Sequence, residues 1–145
     1  MINIPPEVQI RSTLRPGSVF CYEEETHSNP KYRYFVVLNP EPATADELVL
    51  LTATKEVEKA RRRTALNPSM LILVTPSDYP EFTEEESAFN CDEAYVKSVA
   101  QLVVKLEEGA LSLHSYMPAA IVERLRAGVK NSSVVAERTR ELLDV

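Results

Sequence analysis

Tyr32-Arg33-Tyr34-Phe35-Val36-Val37-Leu38-Asn39 and Glu47-Leu48-Val49-Leu50-Leu51-Thr52-Ala53-Thr54 are two apolar, β-branched-rich runs of strand length. The polar segment between them is punctuated by Pro40, Pro42 and Asp46, which marks a turn. Side chains alternate across a strand, so Leu48, Leu50, Thr52 and Thr54 share one face and Val49, Leu51 and Ala53 the other. Both faces stay apolar until the threonines take over. The strand is therefore expected to be buried along its length and polar at its tip. One run opens on an arginine and the other closes on threonines. The pair reads as two central strands of a small barrel, with a first candidate site at the polar rim where Arg33 and Thr52 meet.

Leu14-Arg15-Pro16-Gly17 is a turn signature leading into a strand over Ser18-Val19-Phe20-Cys21-Tyr22. Glu23 to Tyr32 is a polar connection longer than a tight hairpin needs, with His27, Asn29 and Pro30 in it. A fourth strand is expected over Leu71-Ile72-Leu73-Val74-Thr75, ended by Pro76, and a fifth over residues 87–95. Val96, Val99, Leu102, Val103 and Leu106 then form a helical stripe that Gly109 stops. Leu111-Ser112-Leu113 reads as a short strand. Ser115 and Pro118 open a helix with Ile121, Val122, Leu125 and Val129 on one face, and Ser132 or Ser133 caps a last helix over residues 134–143. The expected fold is α+β, with five to six short, mostly antiparallel strands and C-terminal helices. Residues 1–145 read as one domain: a leader over 1–13, in which Pro5-Pro6 opposes regular structure, strands over 14–95, and a mainly helical part over 96–145.

A chain of 145 residues can bury a core without disulfide or metal staples. Its 44% hydrophobic and 26% charged content speaks against wholesale disorder. The formal charge of -6 argues against a surface wholly given to nucleic acid, although a local basic groove on an acidic body remains open. Cys21 and Cys91 are far apart and lie outside any CxxC, and His27 and His114 complete a thin ligand supply, so no metal site or other cofactor is expected. Both cysteines sit in apolar surroundings and read as buried thiols of a reducing compartment. The N-terminus has no signal-peptide pattern and no apolar run approaches the ~18 residues that span a bilayer, so the expectation is a soluble, cytoplasmic protein without a membrane partner. Residues 55–65 alternate charge at helical spacing, and the Lys59, Arg61, Arg62, Arg63 cluster reads either as a solvated face or as a phosphate contact.

With three glycines and no Gly-rich loop, the sequence excludes a P-loop or Rossmann nucleotide site. It also lacks a Gly-x-Ser-x-Gly elbow, and its carboxylates offer no obvious glycosidase pair. Chemistry that needs only a cation, hydroxyls and an imidazole remains. Metal-independent RNA cleavage is such a reaction: a 2′-hydroxyl attacks its own phosphate, and a guanidinium fork suits the developing charge.

Three pieces of the chain resemble, in order, the MazF/PemK toxin family. Leu14-Arg15-Pro16-Gly17-Ser18-Val19-Phe20 is similar to the family's opening Arg-Gly-Asp-Val strand. Arg33-Tyr34-Phe35-Val36-Val37-Leu38 is similar to its Arg-Pro-Val-Val-Val-Leu strand, and Leu50-Leu51-Thr52-Ala53-Thr54 to its apolar-Ile-Thr-Ser segment. Phe89 to Leu102 loosely follows its late strand and Asp-x-x-Arg-Leu tail. Tyr34 stands for the family's proline, Ser18 for its aspartate, and the tail arginine is missing. The resemblance implies an SH3-like β-barrel and a metal-independent endoribonuclease of a type II toxin–antitoxin system that cleaves single-stranded RNA. It implies Arg33 and Thr52 as the catalytic residues, a homodimer, and an antitoxin partner. His27, Lys31, Tyr34 and Thr54 are the candidate RNA contacts around them, with residues 23–31 gating the groove.

Each candidate also has a plainer reading. Arg33 can pair with Glu23, Glu24 or Glu25; Thr52 and Thr54 are good strand formers; His27 suits a solvated loop; and Tyr32 and Tyr34 suit half-buried packing. The competing function is a non-catalytic barrel that binds a partner protein through the same groove.

Overall fold

A computed structural model describes residues 4–23 and 32–144. The strands are β1 (Val19–Glu23), β2 (Tyr32–Val37), β3 (Glu47–Thr54), β4 (Leu71–Val74), β5 (Ser87–Asn90), β6 (Tyr95–Ser98) and β7 (Ser112–His114). The helices are α1 (Pro6–Thr13), α2 (Val57–Arg63), α3 (Val99–Glu107), α4 (Ala119–Asn131) and α5 (Glu137–Glu141). The fold is α+β, as the sequence implies, and the described strand pairings are all antiparallel. The strand order is β4-β5-β3-β2-β1-β7, with β6 on β3. The end strands β4 and β7 do not pair with each other, so the seven-stranded sheet is open where a closed barrel was expected.

β3 organises this sheet. One edge pairs with β2, at Phe35↔Thr52, Val36↔Leu51 and Val37↔Leu50. Its other partners are β6, along Glu47 to Leu50, and β5, at Ala53 and Thr54. The expected parity holds. Leu48 and Leu50 pack with Phe35, Val37, Phe20 and Tyr22 beneath Ile10, Leu14, Val99 and Leu102 of the α1–α3 side. Val49 and Leu51 pack with Val36 and Leu38 against Leu125 and Val129 of α4, together with Ile72 and Phe89 of β4 and β5. Helices thus cover both faces, which explains why the strand carries no polar alternation until Thr52.

Local chemistry fixes the connections. Asn39 is buried, and its amide reaches across the β2–β3 connection: Nδ2 donates to Glu47 O at 3.0 Å and Oδ1 accepts from Val49 N at 2.7 Å. Ser98 and Gln101 form a reciprocal capping box that starts α3, with Gln101 N donating to Ser98 Oγ at 3.1 Å and Ser98 N to Gln101 Oε1 at 2.9 Å. Arg126 Nε donates to Leu38 O at 2.8 Å and ties α4 to the end of β2.

Three further expectations need correction. The last helix, α5, spans Glu137–Glu141 rather than 134–143 and has Ala136 at its N-cap, because Ser132 Oγ accepts instead from Val134 N at 3.1 Å and Val135 N at 3.2 Å in the turn that ends α4. The segment 1–13 is not irregular where it is described, because α1 begins at Pro6. Proline at the first helical position lacks only an N–H that would be unpaired there anyway, and burial of Ile10 holds the helix down. The single strand over 87–95 is two strands, because Asn90 turns the chain: its Oδ1 accepts from Asp92 N at 2.9 Å and its carbonyl from Glu93 N at 3.0 Å. Val96 therefore lies in β6 rather than on the α3 stripe. No helix among the described residues is long and apolar enough to cross a membrane.

Gly128 supplies a test of the packing. A Cβ there would stand 2.5 Å from Cys91 Sγ and 3.0 Å from Cys91 Cβ. Alanine gains about 1 kcal/mol over glycine in a helix, whereas forcing a methyl into a filled core costs about 1–3 kcal/mol. Gly128→Ala is expected to lower thermal stability, and to lower it less in a Cys91→Ala background, as read by paired thermal melts. Equal losses in both backgrounds would contradict the α4–Cys91 contact.

Candidate functional site

Arg33 sits on β2 opposite Tyr22 of β1. It shares strand parity with Phe35, which faces Thr52, and continuing that register by two residues sets Arg33 opposite Thr54. Arg33, Thr52 and Thr54 therefore belong to one side of the β2–β3 pair, a point that sequence parity alone left unsettled. A cleft of about 460 Å³ opens at this end of the sheet, lined by Arg33, Tyr34, Thr54, Lys55, Glu81 and Phe82, among others.

The two threonines differ in what their hydroxyls do. Thr52 Oγ1 donates to Tyr34 O at 3.1 Å, so its proton is held by the backbone, and Thr52 is not among the residues that line the cleft. Thr54 Oγ1 accepts from Glu56 N at 3.1 Å and retains its own proton for a ligand. Thr54, rather than Thr52, presents the available hydroxyl.

Arg33 carries an unmet demand. Its Nε is buried and finds no hydrogen-bond acceptor among the described residues, and no described carboxylate pairs with its guanidinium. An unsatisfied buried donor costs about 1–3 kcal/mol, and more when charged. A buried polar atom without a partner calls for a specific explanation. Lys55 is another cation of the cleft, and its Nζ lies 3.8 Å from Glu84 at an exposed rim. The basic cluster behind it is largely neutralised: Lys59 meets Glu56 at 3.7 Å, Arg61 meets Glu58 at 3.5 Å and Arg63 meets Glu93 at 3.6 Å. That is the solvated charged face.

Tyr34 lines the cleft but is also packed, edge-on to Phe82 at 5.2 Å and to His114 at 5.0 Å between ring centroids. Burial, followed by the charges of Cys21 and Glu81, pushes its phenol above the ordinary value. His27, Lys31 and the gate proposed for residues 23–31 fall on residues outside those described, except Glu23 at the end of β1. Cys91 is buried and burial pushes its thiol up to about 12, whereas Cys21 is half-buried on the cleft wall. Among the described residues no three His, Cys, Asp or Glu side chains are grouped as metal ligands would be.

Beside the cleft lies a cluster that the sequence did not announce. Glu81 Oε1 meets His114 Nδ1 at 2.9 Å, and Oε2 accepts from Ser115 N at 2.7 Å and faces Tyr79 Oη at 2.9 Å. Tyr79 Oη also lies 2.6 Å from Ser115 O, so one phenolic proton serves two acceptors. On the far side of the imidazole, His114 Nε2 meets Ser112 Oγ at 3.0 Å. The only local signal was Ser112-Leu113-His114, whose spacing puts the serine and histidine on one face of β7. Glu81 arrives from a loop 33 positions earlier in the chain, a pairing visible only in three dimensions.

These contacts set the carboxylate's acidity. The His114 hydrogen bond holds Glu81 down to about 2 from an ordinary 4.5, aided by the Ser115 N–H and the Tyr79 hydroxyl and opposed by burial. Because the folded value is depressed, the stabilisation is fully present above pH 4.5 and disappears as pH falls towards 2. The melting-temperature gap between wild type and Glu81→Gln is therefore expected to shrink across that window, as followed by thermal melts at stepped pH. A gap that stays constant from pH 6 to pH 2 would contradict the ionised clasp.

No protein-family model matches the chain, and no curated protein matches it significantly.

Proposed function

We propose that this protein is a metal-independent endoribonuclease of toxin type, binding single-stranded RNA in the Arg33 cleft. The reading is carried by one observation: Arg33, whose buried Nε finds no hydrogen-bond partner among the described residues, lines the same cleft as Thr54, whose hydroxyl oxygen accepts from Glu56 N. The sequence resemblance to MazF/PemK toxins supports it independently. A scissile phosphate seated there would receive two donors from the guanidinium fork and one from Thr54. As the RNA 2′-oxygen attacks, charge grows on the phosphate oxygens, and a guanidinium that needs no reorganisation stabilises that charge more than it stabilises the substrate. Thr52 acts behind the site, holding the Tyr34 carbonyl and with it the β2 backbone next to Arg33. Lys55 adds longer-range attraction. The same reading carries the cytoplasmic homodimer and the antitoxin partner that the resemblance implies, with Arg33 as an anchor for an acidic antitoxin segment.

A second reading, a non-catalytic module that binds a partner protein, draws on the cleft's rim. Glu56, Glu81 and Glu84 stand among the lining residues alongside Arg33 and Lys55, an arrangement that suits a segment of mixed charge better than a long polyanion.

The two readings separate on RNA cleavage in the presence of a chelator. The wild type is expected to cut a short single-stranded RNA, and Arg33→Ala to cut it about 10²–10³-fold more slowly. Binding of the RNA is expected to weaken steeply with salt. No cleavage by the wild type, with no RNA binding at low salt, would overturn the nuclease reading and favour the partner-binding module.

A further inference from the structure

Glu81, His114 and Ser112 lie in line, and the RNA-cleavage reading uses none of them. Ser112 Oγ is 3.0 Å from His114 Nε2, and His114 Nδ1 is 2.9 Å from Glu81 Oε1. Neither ring nitrogen is left over to reach into the cleft. The carboxylate at the end of the line is itself fixed, by the Ser115 N–H at 2.7 Å and by the Tyr79 phenol, whose ring is buried. The imidazole is further held edge-on by Tyr34. A hydroxyl on a base, and a base oriented by a carboxylate, is the general arrangement of an activated nucleophile. In neutral His114, a proton on Nδ1 directed at Glu81 leaves the Nε2 lone pair for the Ser112 hydroxyl. Ser112 is exposed, so an incoming ester meets it directly.

We propose that Ser112, His114 and Glu81 form a second reactive centre, a serine nucleophile relay that hydrolyses esters of short-chain carboxylic acids at the open edge of β7. Ser112 Oγ bonds to the ester carbonyl carbon while its proton passes to His114 Nε2. The carbon–oxygen bond to the alcohol breaks, and the proton on Nε2 goes to the departing alkoxide. A water then attacks the acyl-serine, giving its proton to Nε2, and that proton returns to Ser112 Oγ as the carboxylic acid leaves. Glu81 is the positioning residue that keeps the imidazole in register and stabilises its cationic form. Among the described strands β7 pairs only with β1, so its other edge presents main-chain N–H groups that can receive the oxyanion. The relay is independent of the RNA-cleavage reading and stands or falls without RNA.

Reaction of the full-length chain with a fluorophosphonate, followed by peptide mass mapping, tests the relay directly. A single adduct on Ser112 is expected, absent in Ser112→Ala and formed at least about 100-fold more slowly in His114→Gln. Glu81→Gln is expected to slow the labelling and to change its pH profile, an effect that loss of stability alone would not produce. Circular dichroism of Ser112→Ala, altered only at an exposed hydroxyl, provides the folded control. Hydrolysis of a p-nitrophenyl ester of a short acid is expected to follow the same order among the variants. No adduct on the wild type, an adduct on another residue, or equal labelling rates in wild type and His114→Gln would each overturn the proposal.

Discussion

Burial of β3 on both faces is the constraint from which the rest follows. A strand whose alternate residues enter two separate cores cannot slip by one position without exchanging them, so its register is doubly specified. Leu48 and Leu50 require α1 and α3 on one side; Val49 and Leu51 require α4 and the β4–β5 hairpin on the other. The same strand also changes partner along one edge, from β6 to β5. The cleft lies at the end where β3 has left β6, where Thr52 to Thr54 are no longer fully covered. Core and site are consequences of one strand running past the partners that bury it.

That architecture also separates two groups of polar side chains. Arg33 and Thr54 both line the cleft at the end of the β2–β3 pair. Glu81, His114 and Ser112 gather where the loop after β4 reaches back to β7. Tyr34 stands between them, lining the cleft while packing against the imidazole. The Glu81 carboxylate on the cleft wall is engaged by the imidazole, a main-chain N–H and a phenol.

The parity of β3, the turn at Gly17, the apolar face of α4 and the placing of Arg33 near the start of β2 were legible because each depends on neighbours in sequence. Gly17, for example, has a positive φ of 90° and lies against Met117 O, so a turn glycine there is required twice over. What stayed hidden depends on partners far along the chain. Pro5-Pro6 suggested a breaker, yet the buried Ile10 makes α1 worthwhile. Asn90 looks like a strand residue until its side chain is seen closing a turn. Thr52 and Thr54 are indistinguishable by parity, and only their hydrogen bonds assign the free hydroxyl to Thr54. Glu81, in an acidic loop, gave no sign that it would clasp His114.

The proposed function assigns a phosphate to the Arg33 guanidinium. The most direct measurement follows the Arg33 Nε–H resonance by ¹⁵N NMR during titration with a short single-stranded oligonucleotide lacking 2′-hydroxyls, which can bind but cannot be cleaved. A selective, saturable shift of that resonance that fades as salt rises is expected, together with a shift at Thr54. An Arg33 resonance that stays in place while other regions respond, or while nothing responds at low salt, would contradict it.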